Sequence, residues 1–461
     1  MLVRSRCLSA LLVALAMLFS SGARADGGVV PPSFEVPAVL ELDEALRIFR
    51  ARGLDLLIAE AAVRTAEGAV KIAGAPPGGN PVVNASLGNA FTYVPNQTQC
   101  NQGGAVCTPW VVNVGVSDSA AIVDSLSGKR DLRLKVARNA LAAAKMSRVD
   151  AERTIAFQVK SAYVQVAEAT LALRFAKDVA ESNVKTLDLF QTRYKAGAIN
   201  DGDLARIETQ KLEADQAVST ARYLLREARV ALAFLIGVRG RVPDFDIDAN
   251  VLSFAVPPKL ADAAEVGLLR TAFDHRPDLI ALGYQKASAA AQVDLTRRQR
   301  FPDISLSVDY GQGGYGGLGT NAPLQSPIVT FGISAPIPVI YQLQGEIRQA
   351  EAQFDTNALQ QAKTAAQVVN DVSSGYAAFL GARELVQRME GPRREGGGLL
   401  QSAKAARDMT RLQYEKGAAS LTDFLDAQRT YIATNVEYFQ DLTNYWTAVF
   451  QLEGSVGMDL R

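Results

Sequence analysis

Few side chains in this sequence could do covalent or metal chemistry. The single histidine, His275, stands in Asp274-His275-Arg276-Pro277 with no recognisable nucleophile motif beside it, so a hydrolytic role has little to build on. Cys100 and Cys107 lie in a Gly/Asn/Gln-rich stretch without a nearby histidine or further cysteine, short of the roughly four N or S ligands of a zinc site. In an exported chain a pair this close reads as a disulfide, two free loop thiols being the alternative. Asp426 and Arg429 have the i,i+3 spacing of a helical ion pair, which on an exposed face contributes only a few tenths of a kcal/mol. Lys+Arg and Asp+Glu both number 48, so there is no polybasic surface for nucleic acid. We expect no catalytic residue, cofactor or metal site, and no enzyme.

The elements that must position these residues are long and mostly helical. The 461 residues are 48% hydrophobic but only 7% aromatic, with alanine-rich tracts at Ala140 to Ala144 and Ala287 to Ala291, a composition suited to closely packed helices. Residues 1–25 carry Arg4 and Arg6, an apolar run from Leu11 to Phe19, and Ala23-Arg24-Ala25, the pattern of a cleavable secretion signal. Its removal takes three arginines and no acids, leaving 45 basic against 48 acidic residues and a net charge of −3. Cys7 precedes the apolar run, so no lipid anchor is expected. Residues 26–38, with Pro31, Pro32 and Pro37, read as an irregular leader. Beyond the signal there is no apolar run of about 18 residues, so a membrane role would have to use strands.

The rest of the chain is a duplicated unit. Tyr194 and Tyr414 stand 220 residues apart, as do Asp203 and Asp423, and Ile236-Gly237 matches Val456-Gly457 at the same spacing. We place the first repeat at 39–237, a connector in the equatorial region at 238–260 and the second repeat at 261–461. Each unit predicts a helix of roughly 35 residues (Leu42 to Ala73; Ala261 to Arg300), two short strands, a very long helix, a glycine tip and another helix of roughly 35 residues. The strands are expected at about 82–94 and 110–117, then at about 303–310 and 328–335. Val83, Ala85 and Leu87 alternate with Asn84, Ser86 and Gly88, and Val329, Phe331 and Ile333 with Thr330, Gly332 and Ser334. Apolar residues facing lipid with small polar ones inside would give this alternation, and so would a soluble sheet covered on one face. Four strands cannot close a barrel, so spanning strands would need further copies of the chain.

The helices carry heptad seams. Leu421, Phe424, Gln428, Tyr431, Asn435, Tyr438, Leu442, Tyr445, Val449 and Leu452 alternate steps of 3 and 4, and Leu204 to Leu235 repeats the pattern. The first long helix, Ser119 to about Ala196, would extend roughly 115 Å. The second should be interrupted near Gly391-Pro392 and Gly396 to Gly398.

A secretion signal, a 220-residue duplication, two strands per unit and long helices meeting at Tyr414-Glu-Lys-Gly417, followed by Phe424-Leu-Asp426-Ala-Gln-Arg429, resemble the TolC-type outer membrane factor family over essentially the whole mature chain. The resemblance implies a mainly α fold with a small β part: a homotrimer whose strands complete a 12-stranded barrel in the outer membrane of a Gram-negative bacterium, above a helical periplasmic tunnel. It implies a passive conduit of a tripartite efflux or secretion system, opened by a periplasmic adaptor and an inner-membrane pump. Tyr414, Asp426 and Arg429 would hold the periplasmic gate closed. The tips Gly197, Ala198, Gly417 and Ala418 would dock the adaptor. The first-unit equivalents of Asp426 and Arg429 are Arg206 and Thr209, so the carboxylate constriction is not duplicated. A periplasmic coiled-coil adaptor or structural spacer is the competing reading, though it gives no reason for four strands with lipid-like outer faces. Drug, metal and protein export all fit the chain.

Overall fold

A computed structural model describes residues 34, 36–75, 80–89, 92–93, 106–107, 110–118, 124, 126–314, 326–391 and 397–460. The signal segment, most of the leader and the pairing of Cys100 with Cys107 lie outside the described residues. The first unit runs from β1 (Val39–Leu40) through α1 (Leu42–Arg52), α2 (Leu54–Gly74), β2 (Val82–Asn89), β3 (Thr92–Tyr93), β4 (Val106–Cys107) and β5 (Trp110–Ser117) to α3 (Lys129–Lys195) and α4 (Asp201–Leu235). The connector holds β6 (Asp246–Ile247), which pairs in parallel with β1, and a 3-10 turn at Ala249–Val251. The connector ends in α5 (Pro258–Ala261), and the second unit follows with α6 (Glu265–His275), α7 (Pro277–Arg298), β7 (Ser305–Gly314), β8 (Ile328–Ser334), α8 (Gln344–Glu390), α9 (Leu399–Glu415) and α10 (Leu421–Val456).

Three helices differ from the sequence expectation. Leu42 to Ala73 is two helices, α1 and α2, broken at Gly53, where the fully buried Phe49 folds its ring into the space a side chain would need. Ala261 to Arg300 is likewise broken. Pro277 starts α7 and holds Arg276 in an extended conformation (φ −67°, ψ 117°), because its ring disfavours helical geometry in the preceding residue. The first long helix begins at Lys129, after the left-handed Gly128, and its 67 residues span about 100 Å at ~1.5 Å per residue. The interruption expected in the second unit is present. Gly391 turns out of α8 at φ 62°, and the Gly398 N–H donates to the Glu390 carbonyl at 3.0 Å, so α9 resumes beside the end of α8.

Four strands form one antiparallel sheet in the order β2-β5-β7-β8, and the register aligns their faces. One cross-strand row reads Val83, Val116, Val308 and Phe331; the adjacent row reads Asn84, Gly115, Asp309 and Thr330. Period-two alternation therefore places apolar residues on one face and small polar residues on the other. The apolar face is bare, with Val83 67% and Phe331 78% exposed. On the polar face Ser307 donates to Asp309 (3.1 Å) and Asn113 to Ser86 (3.4 Å). The sheet is open, with β2 and β8 at its edges.

The main core lies midway along the helices. Its largest fully buried side chains include Tyr163 of α3, Phe379 of α8, and Tyr445 and Phe450 of α10. Polar ends of this core hold β1 and the connector: Tyr163 donates to the Leu40 carbonyl, Tyr445 to that of Ala255 and the neighbouring Trp446 to that of Ser253, at 2.9 to 3.0 Å. The buried Arg276 is paired with Asp278 (2.6 Å) and Asp371 (2.9 Å), and the partly buried Lys160 with the buried Glu453 at 2.5 Å. Every seam residue expected on α4 and α10 is buried or partly buried. No helix among the described residues is long and apolar enough to cross a membrane.

Candidate functional site

The two tips are built alike. At the first, Ala198 N–H donates to the Arg193 carbonyl and Gly197 N–H to that of Tyr194, both at 2.9 Å; at the second, Ala418 donates to Gln413 (2.8 Å) and Gly417 to Tyr414 (3.0 Å). These are the paired bonds of a Schellman turn, which needs a left-handed residue. Gly197 (φ 71°) and Gly417 (φ 75°) supply it. Gly197, Ala198, Gly417 and Ala418 are all exposed. Asn200 then caps α4, accepting from the Asp203 N–H at 2.8 Å. Ser420 caps α10 with a full capping box, in which Asp423 also accepts from the Ser420 N–H. These bonds to Ser420, hydroxyl first and then N–H, hold the Asp423 carboxyl below the ordinary aspartate value.

Behind the turns sits a second, small apolar cluster of Phe190, Ile207, Leu421, Phe424 and Leu425. Tyr414 belongs to it. Its ring stacks on Phe190 (5.5 Å between centroids, 4° between planes) and on Phe424 (6.0 Å, 16°), with the Arg193 guanidinium 5.6 Å from its centre. Burial pushes the Tyr414 hydroxyl up in pKa, against the opposing pull of Arg193. Tyr194, its counterpart, is exposed and hydrogen-bonded to Asp201. Sequence reasoning missed Phe190 and Arg193. The clue was that Phe190 has only Thr410 at the matching position of the second unit.

Asp426 and Arg429 share an exposed face of α10, 3.9 Å apart and 67% and 65% exposed. That separation exceeds a hydrogen bond, so the pair is loose. The structure does not bring Tyr414 to them: it sits in the aromatic cluster with Arg193. It does bring the first unit to them, since Arg206, Thr209 and Glu213 of α4 line one groove of about 350 Å³ with Asp426 and Arg429. Thr209 spends its hydroxyl on the Ala205 carbonyl (2.9 Å). Beneath the groove lies a buried polar layer that the sequence did not reveal, in which Gln428 donates to Asn183 at 2.7 Å. His275 is exposed at the end of α6, its Nδ1 3.1 Å from the Thr271 carbonyl. No cluster of three or more His, Cys, Asp or Glu among the described residues is placed to hold a metal ion.

The pattern of the outer membrane efflux protein family matches residues 45–238 and again 268–458. The chain belongs to that family. This outer membrane efflux protein is 25% identical over 402 residues to the pyoverdine export outer membrane protein OpmQ of Pseudomonas putida, covering 85% of this chain and 80% of that one. It is 24% identical over 452 residues to the OpmQ of Pseudomonas aeruginosa, covering 95% and 88%. Among solved structures, CusC superimposes with a TM-score of 0.73 at 16% identity, covering 94% of this chain and 98% of that one, which shows a common fold. The outer membrane efflux protein is therefore a TolC-like channel protein of the outer membrane, with a duplicated helical and strand unit.

Proposed function

We propose that three copies of this chain assemble into a passive conduit, which a periplasmic adaptor and an inner-membrane pump open from below. The observation that carries this reading is the open sheet with its bare apolar face. In lipid the unpaired backbone groups of β2 and β8 have no water to bond, so each edge requires a strand from another copy, and three copies give twelve strands. A periplasmic spacer leaves that apolar face without a role. Mass measurement of the detergent-solubilised protein tests the proposal: a trimer is expected, and a stable monomer with full strand content contradicts the barrel.

In this conduit Asp426 and Arg429 form the gate, Tyr414 supports it by packing the tip, and Gly197, Ala198, Gly417 and Ala418 meet the adaptor. The solute passes without chemistry by the chain. Residues 1–25 are removed on export, leaving the leader 26–38, the repeats 39–237 and 261–461 and the connector 238–260. N-terminal sequencing of the membrane-inserted protein should begin at Asp26. Non-reducing peptide mapping should find Cys100 bonded to Cys107, and two free thiols would refute the pairing.

A further inference from the structure

The groove at Asp426 continues upward. Gln210, Glu213 and Arg429 line both it and a larger concavity of about 940 Å³, which lies between α4 and α10 with α3 as its floor. The surface is mostly apolar, including Ala172, Phe175 and Ala176 of α3, Leu224 of α4, and Ile432 and Val436 of α10. Phe175 is fixed there by edge or tilted contacts with Tyr431 and Phe439, both 5.9 Å between centroids. Three carboxylates line it: the half-buried Glu168 on the floor, and the exposed Glu213 and Glu227 of α4. Among the described residues none of the three has an ion-pair partner, and Arg429, at the lower end beside Asp426, is the only cation in the lining. Burial raises the Glu168 carboxyl above the ordinary glutamate value against the opposing pull of the Thr443 hydroxyl, with no cation among the causes, a sign that its anion is poorly solvated.

We propose that this groove binds amphipathic organic cations in transit, with the apolar body on the alanine and Phe175 floor and the cationic head at Glu168. Charge complementarity selects the occupant. An anion with the same apolar body is repelled by the carboxylates. A small, strongly hydrated cation gains nothing from the floor, whereas a cation with apolar substituents both buries surface and gives Glu168 a counter-charge. The proposal rests on the reading that Asp426 and Arg429 face the conduit, because the groove shares their face.

The test is calorimetric titration of the detergent-solubilised full chain with tetraphenylphosphonium, with tetramethylammonium and tetraphenylborate as comparisons. Saturable phosphonium binding is expected, weakened at least tenfold by Glu168→Gln and by Ala172→Trp, which fills the floor, and much less by Glu208→Gln on an exposed part of α4 outside the groove. Tetramethylammonium should not compete for lack of an apolar body, nor tetraphenylborate for its charge. Absent binding, equal binding of the borate, or binding unmoved by both Glu168→Gln and Ala172→Trp overturns the proposal. Displacement of phosphonium by purified adaptor also overturns it, since the groove would then be an outward docking face. The gate reading fails separately, through a single-channel conductance unchanged by Asp426→Ala.

Discussion

The tip closed by Gly197 and the tip closed by Gly417 make the same turn from the same sequence frame, yet their tyrosines have opposite fates. Tyr194 is exposed and bonds Asp201, while Tyr414 turns inward to stack on Phe190, a residue of the first unit, under Arg193. The turn repeats because its backbone admits few residue types: a left-handed position needs glycine, and a helix start needs a capping oxygen. The surrounding side chains carry no such constraint. Duplication has thus left two hairpins of one shape, of which the second leans on the first through an aromatic stack. Asp426 and Arg429, the proposed gate pair, stand above that stack on α10, so the leaning hairpin is the one expected to move.

The largest test of this asymmetry removes the stack. Phe190 is 1% exposed, and truncating a buried phenylalanine to alanine costs about 3–5 kcal/mol. Phe190→Ala should therefore lower protection from amide exchange along Leu421 to Leu425, and Tyr414→Ala should do the same to a smaller degree. Tyr194→Ala, at an exposed site, should change stability by no more than about 0.5 kcal/mol. Equal loosening by Tyr194→Ala and Tyr414→Ala would mean that the two tips are mechanically alike.

The second test leaves stability alone and reads function. Because the Asp426 and Arg429 side chains are exposed and 3.9 Å apart, replacing both with alanine should alter stability by less than about 1 kcal/mol. In an assembly of three copies their charges would crowd the axis, so the same change should raise single-channel conductance in planar bilayers several-fold. Arg206→Ala should have a weaker effect, since Arg206 lines the same groove but stands where the second unit has Asp426, so its loss removes no carboxylate. Thr209→Ala should have almost none, its hydroxyl being turned back into α4. Conductance unmoved by the α10 changes would return Asp426 and Arg429 to an ordinary solvated pair.

What the sequence disclosed and what it concealed divide along the same line. Strand faces, heptad seams and glycine turns were legible because each is a local period or a single-residue demand. Val83 with Phe331, or Leu442 with Tyr445, needs only the alternation of its own element. The breaks at Gly53 and at Arg276-Pro277 were overrun because the apolar pattern continues through them, and only tertiary packing, such as the burial of Phe49, decides that the helix bends. Contacts between the units were hidden altogether. The 220-residue period sets Tyr194 against Tyr414 as equivalents and says nothing of Phe190 touching Tyr414. It also makes Arg206 look like a remote counterpart of Asp426, when α4 and α10 place them in one groove.

The smallest difference between the tips lies in their caps and shows itself through pH. Ser420→Ala and Asn200→Ala should each cost about 1 kcal/mol of local helix stability, since each removes an oxygen that bonds an otherwise orphaned N–H. Only the second cap titrates. Asp423 closes the box on Ser420 and its carboxyl is held below the ordinary 3.8, so the folded tip favours the ionised form more than the unfolded chain does. The resulting stabilisation is complete well above pH 3.8 and fades as pH falls through the lowered folded value. The Asn200 cap is an amide and has no such dependence. Amide exchange compared at pH 6 and pH 3, corrected for intrinsic rates, should therefore show Leu421 to Phe424 losing protection more than Asp201 to Leu204. Ser420→Ala should abolish that difference, because without its hydroxyl the main cause of the lowered Asp423 carboxyl is gone. Parallel loss at both tips would place the acid sensitivity elsewhere in the helices and remove this last distinction between the two turns.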